Sequence, residues 1–186
     1  MTVSGSDRLQ TPRPAVRRRP RLLRPAIVIP VLVVGTLLTG VLAYLFQPWK
    51  LWVDDVVDEA PPAAASTVVA AGRFVSHEHE TTGTVRVLRL PDGSRVLRVE
   101  DLETSNGPAL RVWITDASVL EGRDGWFVFD DGRHVDLGEL RGNVGSQNYA
   151  LPSGVDLVEL HSVSIWCERF HVSFGAAELH RRSSGP

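Results

Sequence analysis

The feature that most constrains this chain is the run AIVIPVLVVGTLLTGVLAYLF at residues 26–46, twenty-one residues without a charge. As a helix rising about 1.5 Å per residue it reaches roughly 30 Å, the thickness of a bilayer's hydrocarbon core. A core helix of a globular domain normally carries a polar face, which this run lacks. It is read as a single transmembrane helix, so the first expected partner is the lipid bilayer. Pro30 falls in the first turns, where a helix tolerates it best. Tyr44, Trp49 and Trp52 cluster at the far end, as interfacial aromatics do.

Charge gives the run a direction. Residues 1–25 carry seven arginines against Asp7, a net +6, so the rest sums to −8 in a chain whose total is −2. The far flank, KLWVDDVVDE, is acidic. The positive-inside rule then puts the N-terminus in the cytoplasm and residues 47–186 outside the cell membrane. A cleaved signal peptide would have an apolar region of about 7–15 residues followed promptly by small residues. Here the run is longer, LFQPWK follows it, and AAAS at 63–66 lies too far downstream. The expectation is an uncleaved, single-pass signal anchor. Lys50 is the only lysine, so the basic residues are nearly all arginine. That bias is read as genome composition rather than phosphate recognition, and no nucleic-acid partner is expected.

The expected organisation is a disordered basic tail at 1–25, the anchor at 26–46, a juxtamembrane linker at 47–67, a β domain at 68–181 and a short tail at 182–186. EAPPAAAST at 59–67 reads as a semi-stiff spacer. After Val68 the period changes. TVRVLRL (84–90) and RVLRVED (95–101) alternate apolar and polar residues around the turn PDGS, a hairpin pattern. ALRVWIT (109–115) alternates after SNGP, read as a turn. WFVF (126–129) and RHVDLG (133–138) flank DDG, a second hairpin signal. GNVGSQNY (142–149) reads as a Gly/Asn loop, NYALP (148–152) as a short extended piece, and VDLVELHS as one helical turn. Short strands at close spacing predict an all-β domain, an antiparallel β-sandwich or barrel.

Cys167, in SVSIWCERFHVSF (162–174), is the only cysteine, which excludes an internal disulfide framework and multi-cysteine metal sites. Val163, Ile165 and Cys167 share one phase; Phe170, Val172 and Phe174 share the other. A bulge or turn at Glu168–Arg169 would bring both sets inside, with Trp166 on the opposite face. The alternative is a central strand buried on both sides.

LGELRGNVGSQNYALP, VDL and SVSIWCERFHVSFGAAEL resemble the C-terminal half of the DM-thirteen domain family. GRF, HETTGTVRV and LRVEDLETSNGPALRVWIT agree with its N-terminal half. The likeness covers roughly residues 70–180. It implies an extracytoplasmic β-rich module described as an electron-transfer domain, found beside DOMON domains in animals. The family's cysteine maps onto Cys167. The resemblance implies a redox role in which this thiol reacts directly or holds a prosthetic group.

A free cysteine also packs well as a small apolar side chain. Redox work needs an accessible thiolate with a lowered pKa, for which Arg169, His161 and His171 are the nearest candidates in sequence. A thiolate would suit copper or haem iron as a soft ligand. His77 and His79 share a face if SHEHE (76–80) is extended, as a metal pair would need. His79 is favoured because it falls where the resemblance begins. The candidate site is therefore Cys167 with His79 and His171, facing an envelope redox partner or ligand of unknown identity. His134 reads as a solvated face residue. Trp113, Trp126, Trp166 and Tyr149 read as core or as a sugar platform. No GxSxG, HExxH, Rossmann glycines or paired-cysteine motif occurs. The rival role is a non-catalytic envelope binding or scaffolding module with a structural buried cysteine.

Overall fold

The computed structural model describes residues 25–48, 53–62 and 66–182. The basic tail, Trp49, Trp52, most of AAAS and the last four residues lie outside the described residues. Two units result, residues 1–45 and 46–186. In the first, α1 (Pro25–Phe46) has no buried residue and is the one described helix long and apolar enough to cross a membrane, with a mean hydropathy of 2.5. Its 22 residues span about 33 Å at helical rise.

The second unit is a β-sandwich of eleven short strands: β1 (Val56–Asp58), β2 (Thr67–Arg73), β3 (Val75–Ser76), β4 (Thr82–Arg89), β5 (Arg95–Glu103), β6 (Leu110–Thr115), β7 (His134–Glu139), β8 (Val144–Leu151), β9 (Ser162–Cys167), β10 (Val172–Glu178) and β11 (His180–Arg181). One sheet has the order β1-β8-β5-β4-β2-β11, the other β3-β10-β9-β6-β7. All pairs are antiparallel except β1 with β8. The inner faces meet in one apolar core. Ala70, Val85, Val87, Leu97 and Val99 come from the first sheet, and Val112, Ile114, Val163, Ile165 and Ala177 from the second.

The β4–β5 hairpin forms as the alternation of its strands dictates. Its turn is closed by Leu90 N–H donating to Ser94 O at 2.8 Å, and Gly93 supplies the positive φ of +84°. Three readings change. Val56–Asp58, inside the span read as linker, is a strand paired with Val144–Ser146. WFVF is not a strand, because β7 pairs with β6 instead and the 116–133 excursion lies over the outer face of the second sheet. There Phe129 packs with Trp113, Trp166 and Ala176 in a second apolar cluster. GNVGSQNY is mostly strand β8, not loop: Gln147 is wholly buried, its Oε1 accepting from Arg141 N–H and its Nε2 donating to Gly142 O. Its polar composition hides a strand whose amides are paired by neighbours rather than by water.

The cysteine segment satisfies both sequence alternatives at once. Residues 168–171 form a turn joining β9 to β10, and all six residues of β9 are buried, on two faces. Val163, Ile165 and Cys167 join the inter-sheet core, while Trp166 joins the outer cluster. Val172 and Phe174 share the core face by alternation, and a register shift between Ser173 and Gly175 reverses the phase so that Ala177 faces the same core while Ala176 joins the outer cluster. Phe170 is the exception: it sits in the turn, half exposed, instead of facing inward.

Candidate functional site

Cys167 ends β9 at one end of the sandwich, opposite Val172 on one side and Leu110 on the other. It is 0% exposed. Its Sγ donates to Pro108 O at 3.3 Å, beneath the Asn106–Pro108 loop. Burial pushes the thiol pKa up; the backbone N–H groups of Phe170 and then Arg169 oppose that, and Glu78 adds to it. The arrangement is a buried thiol, held protonated by its burial, under a loop that alone separates it from this end of the sandwich.

The loop above is built to lie close. Asn106 Nδ2 donates to Val53 O at 3.1 Å and Asp55 Oδ2 at 2.8 Å, and its Oδ1 accepts from Gly107 N–H at 2.8 Å. A Cβ on Gly107 would come within 2.9 Å of the Phe174 ring, so only glycine lets the loop settle there. On the same ring lies His79, centroids 3.9 Å apart. Thr81 fixes the layer from below: its Oγ1 donates to Phe174 O at 3.0 Å and shares a 2.8 Å bond with Thr104 Oγ1. His79 is thus brought to the Phe174 face beside the loop that covers Cys167. Burial lowers its pKa, with Glu78 acting the other way.

The other histidines go elsewhere. SHEHE bends at 77–79, so His77 and His79 do not share a face. His77 is buried, bonded to Ser173 Oγ at 2.8 Å through Nδ1 and to Leu120 O at 3.0 Å through Nε2. The carbonyl can only accept, which puts the proton on Nε2. Burial lowers its pKa. His171 stands in the turn at φ +51°, its side chain 73% exposed and paired with Asp130 at 3.2 Å. His161 bonds Glu178 at 2.8 Å. Among the described residues no group of three His, Cys, Asp or Glu is arranged to hold a metal ion. Sγ, enclosed and turned to Pro108 O, offers copper or haem iron no open approach. The donor set does not fit either group.

The aromatics are core rather than platform. Trp113, Trp166 and Tyr149 are buried and Trp126 is half-buried. Trp113 stacks on Trp166 at 5.1 Å and on His134 at 3.9 Å; His134 is exposed, as read, and one face of its ring covers Trp113. The indole N–H groups of Trp113, Trp126 and Trp166 are buried without a hydrogen-bond partner among the described residues.

Asn143 was read only as part of a loop. It is buried, accepting from Asp55 N–H at 2.7 Å and donating to Asp54 Oδ1 and Thr104 O, both at 2.8 Å. It and Asn106 clamp residues 53–55 to the Cys167 end. The only sequence signal was asparagine in two Gly-containing segments.

Fold and site together define a β-sandwich module with one thiol sealed under a clamped loop, preceded by a helix long enough to span a bilayer. The family model described as electron transfer DM13 matches residues 73–179, and the chain belongs to that family. No curated protein matches the chain, and neither does any solved structure.

Proposed function

We propose that this is a single-pass membrane protein whose electron-transfer domain lies outside the cytoplasm, and that Cys167 is its redox atom, acting as a thiol. The observation that carries the reading is the placement of Cys167 at the end of β9, where its Sγ meets Pro108 O at 3.3 Å beneath the Asn106–Pro108 loop; the turn amides of Phe170 and Arg169 favour its thiolate against burial. With the Asn106–Pro108 loop closed, burial dominates and the sulfur keeps its proton. With the loop displaced, the burial cost falls and the amides remain, favouring thiolate. One cysteine cannot complete a dithiol cycle, so the second sulfur belongs to an envelope partner carrying a disulfide. Sγ releases its proton to solvent and attacks that disulfide. A mixed disulfide forms, the partner's S–S bond breaks, and the leaving sulfur departs as thiolate with the electron pair. The basic segment before α1 and the acidic segment after it support the orientation.

A second reading, a packed cysteine in a binding module, is favoured by the zero exposure of Cys167 and by the burial that raises its pKa. Glutathione disulfide separates the two. With the full chain in lipid nanodiscs, the redox reading expects a mixed disulfide on Cys167 under native conditions, faster at higher pH and absent in Cys167→Ala. An adduct that forms only after unfolding supports the packed cysteine.

A further inference from the structure

A cleft of about 1130 Å³ lies at the other end of the sandwich, where the β4–β5 turn, the 153–158 loop and β11 meet. Four arginines line it, Arg89, Arg95, Arg181 and Arg182, against one carboxylate, Asp156. Elsewhere on the domain five arginines find carboxylates: Arg86 and Arg98 share Glu100, Arg111 takes Asp136, Arg133 takes Glu159 and Arg141 takes Glu59; Arg123 lies over the Trp126 ring instead. In the cleft, none of the four forms an ion pair with a described carboxylate. The concentration of cations is local, since residues after 25 sum to −8.

The fold accepts a cost to keep them there. Arg89 and Arg95 are direct cross-strand partners in the β4–β5 ladder. Like charges placed opposite each other in a sheet are destabilising. Arg181 and Arg182 are brought to the same end by β11, where Arg181 pairs with Ala70 and Arg182 N–H donates to Val69 O at 3.0 Å. Arg95 is held in place: its Nη2 donates to Pro152, Ser153 and Val155 carbonyls at 3.2, 3.0 and 2.7 Å, wrapping the loop around one guanidinium. Between the cations lie Val69, Leu151, Val155, Leu157 and Val158, the last 59% exposed, together with Ser94 and Ser153.

We infer that this cleft is a binding site for an amphiphilic phosphate, a phosphate head on an apolar body. The guanidinium forks match phosphate oxygens bidentately, and an anion between Arg89 and Arg95 offsets their repulsion. The apolar lining takes the body, and the volume suits an organic ligand rather than a bare ion. The site is independent of Cys167, at the opposite end of β5 from Glu103.

The test titrates the full chain in zwitterionic nanodiscs with hexyl phosphate, inorganic phosphate and hexanol, by calorimetry. Hexyl phosphate is expected to bind saturably, at least about tenfold tighter than inorganic phosphate, a gap of about 1.4 kcal/mol or more. Hexanol should not bind. The triple variant Arg89→Gln, Arg181→Gln, Arg182→Gln leaves Arg95 and the core untouched and should lose at least about tenfold of that affinity. Arg89→Gln alone should weaken binding yet raise the melting temperature of the ligand-free protein, because the cross-strand repulsion is gone. Unchanged binding in the triple variant overturns the site. Equal affinity for hexyl and inorganic phosphate overturns the amphiphile. Repeating the titration in nanodiscs with anionic lipid assigns the source: competition makes the ligand a lipid headgroup, and its absence makes it a free phosphate.

Discussion

Replacing Asn143 with alanine removes three side-chain hydrogen bonds from a buried position. Two of them join neutral groups, to Asp55 N–H and Thr104 O, at 2.7 and 2.8 Å. Each is worth about 1 kcal/mol, and leaving the Thr104 carbonyl short of a donor costs about another 1 kcal/mol. The bond to exposed Asp54 is discounted for solvent screening. The expected loss is about 3 kcal/mol. Asn143→Asp keeps the acceptor for Asp55 N–H but loses both donors and sets a carboxylate beside Asp54 and the Thr104 carbonyl. It should therefore be worse than alanine at neutral pH and recover as pH falls. Urea melts of the full chain in nanodiscs, followed by the near-UV signal of the buried Trp113 and Trp166, give both numbers. Hydrogen exchange at the Asp55 amide reports whether residues 53–55 come away first. A loss under about 1 kcal/mol for Asn143→Ala, or a milder effect for Asn143→Asp, would refute the clamp.

Three further outcomes are expected. Burial holds the pKa of His77 and His79 below 6.5, so between the lowered values and 6.5 the unfolded chain binds more protons. Their contribution is complete above about pH 6.5 and is lost as pH falls through the folded values, which His77→Gln with His79→Gln should flatten in melts across that range. Gly175→Ala would place a Cβ 2.6 Å from Thr81 Cβ; overpacking of this kind costs about 1–3 kcal/mol, and the His79–Phe174 stack should loosen with it, visible in ring chemical shifts. A reporter active only outside the cytoplasm, fused after Pro186, should be active, and neutralising the seven N-terminal arginines should scramble it; a silent, well-expressed fusion contradicts the orientation.

The β4–β5 hairpin was legible because its alternation and its turn chemistry are local to one stretch of sequence, Thr82–Glu103. β1 was not, because three residues on a sheet edge carry no period and gain their place from the distant Val144–Ser146. The WFVF error has the same origin: apolar residues were read as a strand, although Phe129 is a plug pressed on Trp166 by a long excursion. At the site, the phase break around Glu168 located the turn and Cys167's burial. The lid over Sγ depends on Pro108, far away in sequence, and nothing local to the cysteine announces it. The histidines illustrate the limit most plainly. SHEHE promises a shared face if extended, and a bend at 77–79 sends one imidazole to Leu120 and the other onto Phe174.

The central claim is that Cys167 is reached by moving the Asn106–Pro108 loop, not by unfolding the domain. The direct measurement is the native-state rate of thiol modification by a small disulfide reagent, taken as a function of urea well below the unfolding transition. Local opening exposes little surface, so the rate should be nearly independent of urea, and Pro108→Gly should raise it with little change in global stability. A rate that climbs with the full urea dependence of global unfolding would contradict the claim and leave Cys167 as packing.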